Sequence, residues 1–253
     1  MKNLARNIFL SLAGANKKVA SGVHILNSHY IGREDISIEV FSNLLKKLNN
    51  QANFIKIQDA LTLIKEKESL NEKLIAFTFD DGFEECYTKV APVLKSFNTN
   101  AAFFINPGFI NGDQSYIENF NNNIVHVKKN PMTWEMIKEL HNDGFIIGNH
   151  TMDHKRLIGL NDEENEFQIS ESKRLIEEQL GTTCDHFAWT YGTLNDIDNK
   201  ALELALKEHQ YVFSGDNYTK YYSLDNRVLN RRHIEGDWPL SHVKYFLSHP
   251  KQY

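Results

Sequence analysis

Several features are scarce or missing in this sequence, and each absence excludes a class of protein. The 253 residues include only two cysteines, Cys86 and Cys184, so neither a disulfide framework nor a thiolate zinc cluster can hold the fold. No apolar run approaches the ~20 residues that a transmembrane helix needs. Lysine and arginine number 28 against 33 acidic residues, and a net charge of −5 provides no overall basic surface for nucleic acid. No glycine motif of the nucleotide-binding kind follows an apolar segment.

Acidic residues are also absent from the first 33 positions, which contain five lysines and arginines. Within this stretch Leu4, Ile8 and Leu12 recur every four residues, a spacing typical of one face of a helix. We predict an amphipathic helix over residues 1–20 and a single domain over residues 21–253. A basic amphipathic helix can lie on an anionic membrane surface, and the alternative is a helix packed on the domain with solvated lysines.

The same segment bears on localisation. The small residues Ala13, Gly14 and Ala15 weakly resemble a signal-peptidase site, which leaves a secreted protein as one alternative. Because the apolar run is short and amphipathic, we expect the helix to be retained. The sequence therefore predicts a cytoplasmic protein, either free or peripheral to a membrane.

The chain contains a regular alternation of apolar segments and helical patterns. About seven short apolar segments are typical of buried strands, and most are followed by helical periodicity. They are residues 23–31, 73–79, 101–105, 145–149, 187–190, 211–215 and 228–234. This alternation predicts a parallel α/β architecture, in the form of a closed or partly open barrel. Residues 106–130, which are rich in Asn and Gly, are predicted to form a long loop.

In such a barrel the chemistry lies at the carboxyl ends of the strands, and polar clusters follow the apolar segments of this sequence. Asp80 and Asp81 come directly after the second predicted strand, where adjacent carboxylates would repel each other unless a cation lay beside them. His150 and His154 follow the fourth predicted strand, spaced to converge on one cation. Asp81 and the two histidines leave a coordination position open, as hydrolytic metal sites require. The combination predicts a catalytic metal site.

These segments resemble the motifs of a known enzyme family. TFDDG at residues 78–82 matches the first motif of the polysaccharide deacetylases, the NodB-type family 4 carbohydrate esterases. GNHTMDH at residues 148–154 matches their second motif, and the resemblance runs from about residue 20 to residue 240. It implies a distorted (β/α)7 barrel that removes N- or O-acetyl groups from sugars.

The resemblance also implies roles for individual residues. Asp80 would be the general base, and Asp81, His150 and His154 would be the metal ligands. The implied cofactor is a divalent transition metal, for which Asp-His-His ligation favours Zn²⁺, with Co²⁺, Ni²⁺ and Mn²⁺ as alternatives. The segment FAWTYG resembles the third motif, so the backbone N–H of Tyr191 would stabilise the oxyanion.

Two departures from the family pattern leave alternatives open. Ala188 stands where many members have an arginine that orients the base, and we expect Arg231 or Arg232 to replace it, with Arg231 also counted among the substrate contacts. The usual C-terminal Leu-x-His motif is missing. Members similar to the biofilm poly-N-acetylglucosamine deacetylases carry the acid histidine on an N-terminal strand, and the segment ILNSH resembles that arrangement. His29 is therefore predicted to be the general acid, with His233 as its rival.

The resemblance thus implies a metal-dependent hydrolase whose partner is an acetylated saccharide, free or linked to a lipid or a nucleotide. A role in surface polysaccharide biosynthesis is implied as well. Two other functions stay open: an amidohydrolase of a non-sugar amide on the same barrel, and a glycan-binding module without catalysis. The presence of all four motif residues that carry the chemistry argues against the second alternative, because a binding module has no chemical need for them.

Overall fold

The computed structural model describes residues 2–67 and 71–253, so Met1 of the predicted N-terminal segment lies outside the described residues. The strands are β1 (Gly22–Ser28), β2 (Asn53–Phe54), β3 (Lys73–Phe79), β4 (Ala101–Ile105), β5 (Ile146–Asn149), β6 (His186–Ala188), β7 (Tyr211–Ser214), β8 (Tyr222–Ser223), β9 (Val228–Asn230) and β10 (Arg232–His233). The helices are α1 (Lys2–Gly14), α2 (Ile38–Asn49), α3 (Ile57–Lys65), α4 (Ala91–Ser96), α5 (Pro107–Ile110), α6 (Gln114–Asn119), α7 (Trp134–Asn142), α8 (Asp162–Glu166), α9 (Ser172–Leu180), α10 (Asn199–Glu208) and α11 (Leu240–Leu247). Single π-helical stretches precede α4, follow α6 and join α8 to α9.

The strands form one sheet in the order β10-β1-β3-β4-β5-β6-β7-β9-β8, and β2 also pairs with β3. The pairs are parallel except for β8 with β9. The predicted segment 228–234 is divided, because β9 pairs with β7 whereas β10 pairs with β1. Arg231 alone separates these two strands, so this segment brings the two edges of the sheet together. The predicted distorted (β/α)7 barrel, of the partly open kind, is confirmed.

Strand β3 shows how the core is built. Six of its seven residues are buried, as expected for a parallel strand that is covered on both faces. Ile75 and Phe77 enter a core shared with α2, α4 and α7, whereas Leu74 and Ala76 enter a second core shared with α3. Since successive side chains of a strand point to opposite faces, this one apolar segment contributes to both cores. The position of β3 between the two cores is therefore fixed by its own sequence.

Residues 106–130 do not form the loop that was predicted. They contain α5, α6 and a π-helical turn, and Asp113 caps α6 by accepting a hydrogen bond from the backbone N–H of Tyr116. The rings of Phe109 and Phe120 are fully buried and stack with centroids 4.0 Å apart. The N-cap and this aromatic packing outweigh the low helix propensity of the asparagines.

Helix α1 packs against α11. The Ser11 hydroxyl lies 3.0 Å from Nε2 of His242, and Leu10 is buried between the helices and the domain. The contact is close at Gly14, where a Cβ atom would lie 1.8 Å from the carbonyl oxygen of Ser241. The face of α1 that packs is therefore not the predicted four-residue stripe, which stays exposed to solvent.

Candidate metal centre and active site

A cavity of about 260 Å³ opens at the carboxyl ends of β1, β3, β5 and β6 and beside β10. The polar side chains predicted from the sequence converge on it because parallel strands end at the same edge of the sheet. The cavity is lined among others by His29, Asp81, His154, Tyr191, His233 and Glu235. Asp80, His150 and Arg231 are buried beside it.

The loops after β3 and β5 bring Asp81, His150 and His154 together. Oδ1 of Asp81 lies 3.2 Å from Nε2 of His154 and 3.5 Å from Nε2 of His150, and all three side chains are buried. Nδ1 of His150 lies 2.6 Å from the carbonyl oxygen of Ala188, which as a donor contact leaves the lone pair on Nε2.

These three residues fit a divalent transition metal. Oδ1 of Asp81 is fully buried and meets the two imidazole nitrogens without a well-formed hydrogen bond, as three ligands around a shared cation do. Burial favours the neutral acid, but His154 and His150 outweigh it and hold the pKa of Asp81 well below its usual value. Two imidazoles and one carboxylate are the ligand types that Zn²⁺ and its neighbours accept.

Asp80 is held in one orientation by two partners. Arg231 donates from Nη1 to Oδ1 at 2.7 Å and from Nη2 to Oδ2 at 2.9 Å, and Asn27 donates to Oδ2 at 2.7 Å. Burial opposes the charge on Asp80, but Arg231 and His150 outweigh it and lower the pKa of Asp80. Oδ2 thus receives two hydrogen bonds and Oδ1 one, so Oδ1 keeps a lone pair with which Asp80 can accept a proton.

His29, the residue directly after β1, pairs with a carboxylate on the segment after β10. Its Nδ1 lies 2.8 Å from Oε1 of Glu235, and its backbone N–H donates to Oε2 at 3.2 Å. Burial lowers the pKa of His29, but the Glu235 charge and hydrogen bond outweigh it and raise the pKa to about 10. His233 approaches the same Oε1 at 3.4 Å, yet burial dominates there and lowers its pKa. Of the two candidate acids, His29 is the one that is charged at neutral pH.

Comparison with known proteins now identifies the family, because the profile described as "Polysaccharide deacetylase" matches residues 67–212, more than half of the chain. The chain belongs to the polysaccharide deacetylase family. It is 34% identical over 108 residues to a peptidoglycan-N-acetylglucosamine deacetylase of Bacillus cereus, which is 42% of this chain and 41% of that protein. It is also 34% identical over 113 residues to the peptidoglycan-N-acetylmuramic acid deacetylase PdaA of Bacillus subtilis, which is 44% of this chain and 33% of that protein. The chain thus spans less than half the length of these curated relatives.

Among solved structures, IcaB from Ammonifex degensii superposes with a TM-score of 0.70 at 21% identity. The match covers 92% of this chain and 100% of that one. At this level of identity the likeness confirms the fold, a NodB-type barrel, and leaves the substrate to be argued from the site.

The geometry of the site corrects one sequence assignment. Arg231 was predicted to contact substrate, but it is 1% exposed and both of its Nη atoms donate to Asp80. It instead orients Asp80, the predicted base, which was the other role considered for it. Arg232 belongs to β10, and its guanidinium lies 3.6 Å from the ring centroid of Phe246. Arg232 is therefore not the residue that replaces the family arginine.

Tyr191 lies at the mouth of the cavity, three residues after the end of β6. Its ring is 46% exposed, meets the ring of His154 at 5.0 Å and carries the guanidinium of Arg156 at 3.7 Å. The backbone φ of Tyr191 is 63°, a left-handed conformation that turns the peptide after the strand. The ring contacts hold that turn next to the metal-ligand cluster.

Sequence reasoning missed Asn27 and Glu235. Asn27 belonged to the polar ending of the first predicted strand, so position was an available signal. For Glu235 no comparable signal exists, because its approach to His29 depends on the pairing of β10 with β1, where Asn27 is in register with His233.

Proposed function

We propose that this polysaccharide deacetylase family member hydrolyses the N-acetyl groups of a saccharide with the help of a bound divalent metal. One observation carries the proposal: the metal-ligand cluster, the oriented Asp80 and the charged His29 border a single cavity. The relatives described above are deacetylases of N-acetylglucosamine and N-acetylmuramic acid in peptidoglycan, which supports an N-acetyl rather than an O-acetyl substrate.

Asp81, His150 and His154 would hold the metal, with Zn²⁺ as the proposed ion. A metal in that position supplies a Lewis acid for the acetyl carbonyl. Because the pKa of Asp81 is lowered, its carboxyl group is already ionised at neutral pH. It can therefore bind a metal without first releasing a proton. His150 is kept in the required orientation by its contact with the carbonyl oxygen of Ala188.

Asp80 acts as the general base. Its Oδ1 accepts a proton from the water that attacks the acetyl carbon, while Oδ2 stays occupied by Asn27 and Arg231. Since the Arg231 charge lowers the pKa of Asp80, the carboxylate is ionised over the whole neutral range. The fixed orientation means that the proton transfer needs no side-chain rearrangement.

His29 acts as the general acid. Because Nδ1 is engaged by Glu235, the remaining nitrogen Nε2 donates its proton to the sugar nitrogen as the carbon–nitrogen bond breaks. The products are acetate and a sugar with a free amine. We assign the developing oxyanion to the backbone N–H of Tyr191, which follows β6 at the cavity mouth.

We further propose that the substrate belongs to surface polysaccharide biosynthesis, as a free or carrier-linked saccharide. The cavity is open and its lining mixes charged groups with Tyr30 and Tyr191, a composition suited to a hydroxyl-rich ligand. A non-sugar amide would fit an enclosed apolar pocket better. Acetate release from saccharides thus separates this proposal from the amidohydrolase alternative.

The deciding experiment measures acetate release from a panel of N-acetylated saccharides and small amides, before and after chelation and with Zn²⁺ restored. We expect turnover of saccharides that is lost on chelation and regained with metal. His150→Ala should lose both bound metal and turnover, whereas His141→Ala, a histidine in the last turn of α7, should keep both. Activity on amides alone would favour the amidohydrolase, and saccharide binding without acetate would favour the binding module.

A further inference from the structure

We propose that α1 and the lysines beyond its C-terminal end form a docking surface for an anionic lipid bilayer. The surface has two parts, the apolar strip of Leu4, Ile8, Phe9 and Leu12, and the lysine cleft lined by Lys17, Lys18, Lys73 and Lys244. Docking is independent of the reaction proposed above, so either proposal can fail alone.

The apolar strip is a contiguous patch. The exposed fractions of Leu4, Ile8, Phe9 and Leu12 are 67%, 52%, 57% and 75%. Since each helical residue advances by about 100°, the four side chains occupy an arc of roughly 140° on the outer face of α1. Single exposed apolar residues are ordinary, whereas a contiguous group of large ones marks an interaction surface.

The strip is held outward by the packing of the opposite face. His242 Nε2 lies within 3.1 Å of both the Ser11 hydroxyl and the Asn7 carbonyl oxygen, and Gly14 permits the close approach to α11. Among the described residues no helix is long and apolar enough to cross a membrane. A helix of 13 residues is about 20 Å long, so α1 would lie along the bilayer surface with its strip in the interface.

The lysine cleft selects the charge of the partner. It has a volume of about 440 Å³ and, within the described part of the chain, is lined by four lysines and no carboxylate. Lys244 Nζ donates to the carbonyl oxygen of Ala15 at 2.6 Å, which joins the cleft to the end of α1. The whole chain carries a net charge of −5, so this positive region is local. A second copy would bring a second set of lysines and repel it, whereas anionic headgroups neutralise the cleft.

The two parts of the surface differ in their distance from the candidate active site. The guanidinium of Arg6 lies 5.9 Å from the ring centroid of Trp238, and that ring lies 5.5 Å from the ring of His233, which lines the cavity. The first turns of α1 therefore lie near the cavity, whereas Lys73 of the lysine cleft is the first residue of β3 and lies at the opposite end of that strand from Asp80.

The test is co-sedimentation of the full chain with phosphatidylcholine vesicles, with and without phosphatidylglycerol. Ile8→Asn/Leu12→Asn removes half of the strip, and Ile158→Asn is its matched control, because Ile158 has the same exposed fraction of 52%. Lys17→Gln/Lys18→Gln weakens the cleft, and Lys200→Gln/Lys207→Gln on the surface of α10 removes the same charge elsewhere.

We expect sedimentation with the anionic vesicles that weakens as salt rises. The strip variant should bind roughly a hundred-fold more weakly, and the lysine variant roughly five-fold more weakly per lysine, while both controls bind like the parent chain. Equal binding to neutral vesicles, no binding to either, or equal loss in the controls would overturn the proposal. So would a parent chain that sediments as a dimer and a strip variant that does not, since a second copy would then cover the strip. Acetate release from a soluble saccharide, measured in parallel, should be unchanged by the variants.

Discussion

Glu235→Gln should uncouple the charge of His29 from its position. Gln keeps one oxygen that can accept the Nδ1–H bond now made at 2.8 Å, so the ring should stay in place, while the longer hydrogen bond of 3.2 Å from the His29 backbone N–H to Oε2 is lost. It removes the charge that, against the opposing effect of burial, raises the pKa of His29 to about 10. Asp81 and Asp80, which also raise the pKa of His29, still oppose the effect of burial, so we expect the pKa to fall from about 10 toward its ordinary 6.5.

The size of the effect follows from the protonated fraction of the acid. With a pKa of about 6.5, only about a tenth of His29 is charged at pH 7.5, so kcat/KM should fall roughly ten-fold there. The loss should grow to roughly a hundred-fold at pH 8.5 and shrink to less than about two-fold at pH 5.5. In Glu235→Gln the alkaline limb of the pH profile of kcat/KM should therefore shift toward lower pH.

The assay is the pH profile of kcat/KM for acetate release, with metal content measured in each sample. Asp237→Asn is the control, because Asp237 is an exposed carboxyl two residues after Glu235 and is not one of the groups that raise the pKa of His29. An unchanged alkaline limb in Glu235→Gln with metal retained would refute the assignment of His29 as the acid. A shift in Asp237→Asn of the same size would show that direct pairing is not the cause.

Three further predictions test the base, its orientation and the stability of the barrel. Asp80→Asn should keep its metal and lose ~10²–10⁴-fold in kcat, whereas Asp81→Asn should lose metal and be partly rescued by excess Zn²⁺, and metal analysis of both separates the roles. Arg231→Met leaves a buried carboxylate without its counter-ion, so the pKa of Asp80 should rise and the acid limb of kcat/KM should move to higher pH, with about 3–5 kcal/mol of stability lost on thermal unfolding. His186 has a pKa lowered to about 4 by burial, so it stabilises the fold above pH 6.5 and that contribution is lost as pH falls toward 4. In His186→Phe the free energy of unfolding should fall less steeply as pH falls, by up to about 1.4 kcal/mol per pH unit. A melting temperature that falls more steeply with falling pH than in the parent chain would contradict this prediction.

The barrel and the metal-ligand cluster were predictable because their determinants are local. A buried parallel strand is a continuous apolar run, and its carboxyl end is where the first polar residue appears, as at Asp80 and His150. The helices within residues 106–130 were not predictable from composition, since they depend on the stacking of Phe109 against Phe120. The low helix propensity of the asparagines was visible in the sequence, but the tertiary packing that outweighs this propensity was not.

The partners of the candidate catalytic residues depended on pairing across the chain. Arg231 and Asp80 are 151 positions apart, and the contact exists because Arg231 occupies the single residue between β9 and β10. The same crossing carries Glu235 to His29, 206 positions away. Spacing along a strand identifies the end that carries chemistry, but it does not say which distant strand will lie beside it.

The backbone supports the assignment of this end of the barrel as the functional one. Asp81, Thr151, His154 and Tyr191 have φ values of 73°, 67°, 57° and 63°, in the left-handed region that disfavours side chains other than glycine. Each such residue costs of order 1 kcal/mol, and Thr151 is β-branched, so local preference opposes the observed conformation most strongly there. The surrounding contacts must outweigh these costs, as where the backbone N–H of Thr151 donates to Oδ1 of Asn149 at 3.0 Å. These four are among the eleven non-glycine residues with positive φ in the described part of the chain, and their position around one cavity, at the ends of three strands, is expected where the backbone is held for binding and catalysis.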